Sequence, residues 1–296
     1  MRHLIWLLAL ALFTAQTADP LDLVKQAQKL TAEGKADEAL ALYRQALARS
    51  PELFAAHLGA GIVLDLQGAY KEARQHFEKA ILVAPDESKY QALVNMGVSY
   101  AFDGNAKSAS TFYRQAFDRG MAAQDLRAAA ETANALGRIY LESNDLDNAA
   151  KWYQTGYETS RRQPKLPADQ ADLWDLRWAH AQARIAARKG NAADAHTQTA
   201  IVKGLLDKGT NPDQQIQYPY LVGYVALYLK DYRGAIAALT QADQKDPFIL
   251  VLLAQAYEKA HDAANARQCY VEVLASNAHS LNNAFARPLA KKKLAR

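Results

Sequence analysis

The sequence predicts an all-α chain, a solenoid of about seven helix-turn-helix repeats with a C-terminal capping helix. Three observations lead there. Five residue types recur in register 34 positions apart, Gly34/Gly68, Ala39/Ala73, Tyr43/Phe77, Ala46/Ala80 and Pro51/Pro85, and a fixed period in that range marks stacked helical hairpins. Ala39, Tyr43 and Ala46 are spaced four and three apart, so they share one helical face on which the alanines admit a neighbouring helix. Half of the 296 residues are hydrophobic, with only 14 glycines and 9 prolines, a composition that suits helices.

The first segment is of another kind. Arg2 and His3 precede an apolar run from Leu4 to Phe13, followed by Thr14-Ala-Gln-Thr-Ala18. A basic start, a short apolar run and small polar residues predict a cleavable signal peptide over 1–18, hence a periplasmic or secreted protein. The run falls short of the roughly 20 apolar residues that span a bilayer, although an uncleaved anchor is the alternative. No cysteine follows at the end of the segment, which argues against a lipoprotein anchor.

The repeats fill 19–276. Gly34 ends the first helix of the opening unit, and Pro51 stops the second because proline has no N–H. The second unit adds Gly61 and Leu64 on its packing face. The third carries Gly97, Tyr100, Gly104, Ala109, Tyr113 and Ala116, and the fourth Leu136, Gly137, Tyr140, Ala149, Tyr153 and Gly156. The fifth departs from the pattern: Ala183, Ala186, Gly190 and Ala195 fit, but Thr199 takes the aromatic place and Val202 the alanine place. The sixth (Gly223, Ala226, Tyr232, Ala235, Leu239, Ala242, Pro247) and the seventh (Ala254, Tyr257, Ala266, Tyr270, Val273) restore it. The array is irregular over 159–212, where Pro164 and Pro167 forbid continuous helix and Trp174 and Trp178 are expected to seal the joint.

The remaining segment, 277–296, reads as a capping helix and a basic tail. The net charge of +4 falls to +3 without Arg2, and five of those cations lie in the last ten residues (Arg287, Lys291, Lys292, Lys293, Arg296), so the body is about −2. A nucleic-acid-binding surface is therefore not indicated. The lysine run is most simply a solvated face, with contact to an anionic membrane as the alternative.

No chemistry stands out. The histidines show no pair at the i, i+4 spacing of zinc helices, and there is no phosphate loop, dinucleotide fingerprint or nucleophile elbow. Asp145, Asp231 and Asp262 fall in turns where an aspartate caps the coming helix. Cys269, the single cysteine, reads as a small buried hydrophobe. No enzyme and no cofactor or metal is expected.

The pattern of small, aromatic, small and proline residues resembles the tetratricopeptide repeat family over roughly 21–276. The resemblance implies a right-handed α-α superhelix whose concave surface, lined mainly by the first helices, binds a polypeptide. Carried over by register, that surface offers an apolar groove at Leu58, Ile62, Val94, Val98 and Phe102. Further along come Asn134, Arg138, His180, Arg184 and Arg188, and then Tyr220, Tyr224 and Tyr228. Arginine and tyrosine often dominate interfaces, so an acidic peptide opposite Arg138, Arg184 and Arg188 is the expected partner. The alternative at each position is packing: tyrosines at helical spacing serve cores, and arginines pair with neighbouring acids. The expectation is an exported scaffold or adaptor in a bacterial envelope assembly. The alternatives are a structural or self-associating subunit, or the regulatory subunit of an enzyme.

Overall fold

The computed structural model describes residues 19–295, so the segment read as a signal peptide, 1–18, lies outside the described residues. Within them the chain is a right-handed α-α superhelix of paired helices. The pairs are α1 (Pro20–Ala32) with α2 (Ala36–Arg49), α3 (Phe54–Gln67) with α4 (Tyr70–Val83), and α5 (Lys89–Phe102) with α6 (Ala106–Ala122). Next come α7 (Leu126–Glu142) with α8 (Leu146–Arg161) and α9 (Ala168–Arg188) with α10 (Ala192–Asp207). The last two are α11 (Gln217–Tyr228) with α12 (Tyr232–Leu239) and α13 (Pro247–Lys259) with α14 (Ala263–Val273). A final helix, α15 (Leu281–Leu294), follows them.

The register has a packing cause. A Cβ built on Gly97 would meet the Tyr113 ring at 2.5 Å, and one on Gly61 would meet Phe77 at 2.7 Å. The ring of each second helix thus lies where its first helix has no side chain, and this contact recurs wherever the pattern recurs. Ala39, Ala46, Ala73, Ala80, Ala109 and Ala116 are fully buried at these crossings. The turn inside each pair needs a left-handed residue: Gly34, Gly68, Gly104 and Gly190 supply it, and Asn144, Lys230 and His261 adopt it in the other three. The next residue but one begins the second helix, and the expected caps form: Asp145, Asp231 and Asp262 accept from the backbone N–H three residues on, at 2.9–3.2 Å.

The irregular stretch remains helical. A turn carrying Pro164 and Pro167 separates α8 from the long α9, and Thr199 in the aromatic place turns its hydroxyl to the Ala195 carbonyl at 2.8 Å. Trp174 is buried; Trp178 is half-buried and stacks on Tyr157 with ring centroids 5.9 Å apart. Cys269 is buried, and burial with Glu272 nearby pushes its thiol up to about 11.

α15 does more than cap. It packs on α14 and α13, as a cap should, but also on α5. Arg287 Nε donates to the Leu66 carbonyl at 3.0 Å, and Lys291 to Leu66 and Gln67 carbonyls at 3.3 and 3.1 Å, which closes the C-terminal end of α3. A helix that touches first helices near both ends of the array runs across their common inner face. The tail read as a solvated basic face is thereby corrected in part: Lys293 pairs with Glu258 at 2.7 Å, and of the three lysines only Lys292 is exposed.

Candidate functional site

The inner surface divides into a front over α3 and α5 and a rear over α7, α9 and α11. The front is the apolar groove of the sequence reading, but it is not open. Leu58, Val98 and Phe102 are buried, and Ile62 and Val94 are half-buried. The segment leading into α15 inserts His279 between the rings of Phe77 and Phe102, with centroids 5.6 and 5.5 Å away. His279 Nε2 lies 2.8 Å from Asp65 Oδ2, its Nδ1 lies 2.9 Å from Asn95 Oδ1, and Ser99 donates to Asp65 Oδ1 at 2.9 Å. Asp65 is fully buried on α3, and burial pushes its carboxyl above the usual range while His279 and Ser99 oppose the shift. An apolar face at this depth is covered by the chain's own C-terminal segment. His279 and Asp65 lie outside the sequence-derived site, because a contact between positions more than 200 apart leaves no local signal.

The rear differs from its expectation too. Arg138, Arg184 and Arg188 do not stand on an exposed groove wall. Arg188 Nη2 donates to Glu142 Oε2 at 2.5 Å, with both side chains 9% exposed, and its Nε donates to Tyr224 Oη at 2.8 Å. Arg184, 5% exposed, donates through Nη2 to Tyr153 Oη at 3.1 Å and through Nε to the His180 carbonyl at 3.4 Å. Arg138 lies over the Phe248 ring at 4.2 Å and over Phe285 of α15 at 5.8 Å, with its Nε 3.4 Å from Glu142 Oε1. Tyr220 and Tyr224 are buried and Tyr228 is half-buried, so the helical spacing of the tyrosines serves packing. Their rings line up: Tyr224 lies 6.1 Å from Tyr220 and 4.6 Å from Tyr228. Burial pushes Tyr228 up to about 12 and raises Tyr224 well above its usual range, so both keep their hydroxyl protons.

The physical reason is that α7, α9 and α11 turn the same faces toward one another, so a register that lines a groove in one curvature lines a polar core in another. Glu142, at the end of α7, is the carboxylate around which the arginines gather. Two of the arginines expected opposite an acidic partner, Arg188 and Arg138, already meet an acid of the protein in Glu142.

One part of the rear stays accessible. Asn134, Arg138, Arg177, His180, Arg184, Gln214, Gln217 and Tyr220 line, with Leu176, a cavity of about 160 Å³ between α7, α9 and α11. Five of the eight expected residues thus converge there, and Arg188, Tyr224 and Tyr228 lie behind them in the core. Burial, with Arg184 and Arg138 adding, holds His180 well below its ordinary 6.5, so its imidazole is neutral at neutral pH. Among the described residues no three His, Cys, Asp or Glu side chains are placed to share a metal ion. No helix among them is long and apolar enough to cross a membrane.

Residues 30–96 and 94–167 each match the tetratricopeptide repeat family. No curated protein matches the chain. Among solved structures, a tetratricopeptide repeat protein from Parabacteroides merdae is similar over 93% of this chain and 97% of its own, with a TM-score of 0.55 at 13% identity. PilW, a type IV pilus biogenesis factor, is similar over 75% of this chain and 91% of its own, with a TM-score of 0.51 at 15% identity. At these identities the likeness is one of fold.

Proposed function

Because the chain belongs to the tetratricopeptide repeat family, whose arrays act as protein-interaction scaffolds, we propose that it is an exported scaffold that holds a polypeptide partner in a bacterial envelope assembly. The apolar run and small residues of 1–18 support export. The partner engages the rear of the inner surface. The observation that carries this choice is the chemistry of the two halves: α15 lies over the front, where the spaces that remain are walled by α15 and its lead-in segment, whereas the rear keeps a cavity rimmed by half-buried polar side chains of the repeats alone. A polypeptide laid there meets Asn134, Arg177, Gln214 and Gln217 first, and the buried arginines through them.

Charge reversal of Arg138, Arg184 and Arg188 is not a usable test, because all three are built into the core. Photo-crosslinking side chains at Gln214 and Gln217 are, since both lie on the rim. The expected outcome is a discrete crosslinked polypeptide in envelope extract from Gln214 and Gln217, and none from the exposed outer positions Lys79 and Lys151. Equal yields from all four positions would reject the surface. Export is tested by fusing 1–18 to a reporter enzyme that is active only outside the cytoplasm; an inactive fusion rejects it.

A further inference from the structure

We propose that α15 is an exchangeable occupant of the front, and that a partner helix carrying two cations one turn apart takes its seat. The front is then a second surface, closed until α15 leaves, and it stands apart from the rear cavity. The seat is the C-terminal end of α3. Arg287 and Lys291, four apart on α15, both donate to the Leu66 carbonyl, and Lys291 donates also to that of Gln67. The last carbonyls of a helix lack partners within it, and its dipole draws cations there. The other bonds of Arg287 go to the Leu274 and Ser276 carbonyls, so among the described residues no acid meets either cation. Burial holds both below their ordinary range. Carbonyls and a dipole recognise charge and spacing, and any helix with the same pair of cations meets them equally.

The fit around that seat is loose. α15 buries its alanines, Ala284, Ala286 and Ala290, while its larger Leu281, Phe285 and Leu289 stay half-buried. A space of about 420 Å³ remains on one side, bordered by Tyr70, Phe102, Phe285 and Leu289. Another of about 270 Å³ lies beside Val63 and Lys291. A close-packed core leaves few voids larger than a water molecule. Pro288, in the interior of α15, has no N–H to give the helix and weakens it from within. A partner helix without that proline, and with larger side chains beside the two spaces, gains burial that α15 forgoes.

The cover can open without dismantling the front. Its lead-in stays tied by His279 to Asp65 and Asn95, and by Asn277 to the Ala32 carbonyl at 3.4 Å. Ser280, between the lead-in and α15, has extended backbone with φ −148° and ψ 163°. Rotation there swings α15 away and leaves buried Asp65 with its histidine. Towards α13 the helix is held by Asn282 on Asp246 and by Lys293 on Glu258. The second is a partly exposed ion pair, of the kind that contributes little.

The test uses the full chain, with a fluorescent peptide of sequence 281–295 carrying Pro288→Ala as the stand-in for the partner helix. Native-state hydrogen exchange reads the opening of α15, and fluorescence anisotropy reads the peptide. The α15 amides should exchange through a local opening, faster than those of α5 and α13. In a chain carrying Arg287→Gln and Lys291→Gln the opening should rise at least tenfold, because hydrogen bonds from charged groups are lost. The peptide binds only the open fraction, so its apparent affinity should rise by the same factor. A peptide with both cations replaced by glutamine should bind at least tenfold more weakly. Exchange of α15 only with global unfolding, no saturable peptide binding to either chain, or an affinity that does not follow the opening overturns the proposal. So does a concentration-dependent dimer that excludes the peptide, which gives the seat to α15 of a second copy. If the double variant does not fold, hydrogen exchange in the unchanged protein decides. Crosslinking from Gln214 tests the rear separately.

Discussion

The front and rear of the inner surface solve the same problem with opposite chemistry. Both are lined by first helices at the same register, and both face inward. The front carries leucine, valine and phenylalanine; exposing them to water is costly, and the chain covers them with its own C-terminal helix. The rear carries arginine and tyrosine, and closes on itself by gathering three guanidinium groups around Glu142 and the tyrosine hydroxyls. An apolar face is satisfied by any apolar cover. A charged face is satisfied only bond by bond, and the rear is left with donors that nothing in the protein meets.

The comparison breaks first under deletion of 277–296, which uncovers the front and takes from the rear arginines only the Phe285 ring beside Arg138. Removing three or four large side chains worth about 1.5–3 kcal/mol each when fully buried should cost on the order of 5 kcal/mol. Urea titration measures the loss, and dye binding the exposed apolar face. A synthetic 277–295 peptide added in trans should restore part of the stability; no recovery would mean that the front does not depend on this cover.

Next comes the centre of the rear. Glu142→Gln leaves Arg188 and Arg138 buried without their acid, for which about 3–5 kcal/mol of destabilisation is expected. Glu142→Gln combined with Arg188→Met should recover part of it in a double-mutant cycle. A loss below about 1 kcal/mol for the single change would make the cluster no stronger than a surface pair.

A smaller effect separates the latch of the front from its cover. His279→Ala removes the partner of buried Asp65 while α15 keeps its packing, so about 1–3 kcal/mol is expected from unfolding curves. If Asp65→Asn combined with His279→Ala is as unstable as His279→Ala alone, the unpaired carboxylate is not the cause.

The smallest effect is a pH slope that distinguishes the halves. His180 is depressed by burial and by Arg184 and Arg138, so the unfolded chain binds its proton more readily than the folded one. The stability it contributes is fully present above about 6.5 and is lost as pH falls toward the depressed folded value, by up to about 1.4 kcal/mol per pH unit. His76 in the front is depressed in the same direction, by burial and then by His57, and adds a slope of the same sign. His180→Gln should therefore flatten the slope between about pH 6.5 and 5 without abolishing it, as read from unfolding midpoints at each pH. An unchanged slope would place the whole effect in the front.

Much of this architecture was legible before any coordinate. Gly61 with Phe77 and Gly97 with Tyr113 are contacts between neighbours in sequence, so the pattern of small and aromatic residues records them directly. Asp145, Asp231 and Asp262 were readable as caps for the same reason. The site was legible in its membership and not in its environment. Asn134, Arg138, His180, Arg184 and Tyr220 do converge, but the burial of Arg184 and Tyr220 depends on how far the rear curls, which no repeat position encodes.

The sequence by itself determined the repeat unit, the order of helices and the side chains that face inward, because each of these follows from spacing within about one helical pair. The tertiary structure alone decided which inward face is open. That depends on Arg287 reaching Leu66 and His279 reaching Asp65 across more than 200 positions, and on Glu142 being shared between α7 and α9. Such contacts are set by the curvature of the whole superhelix, the sum of small rotations from one repeat to the next, and a period in the sequence carries the repeat but not that sum.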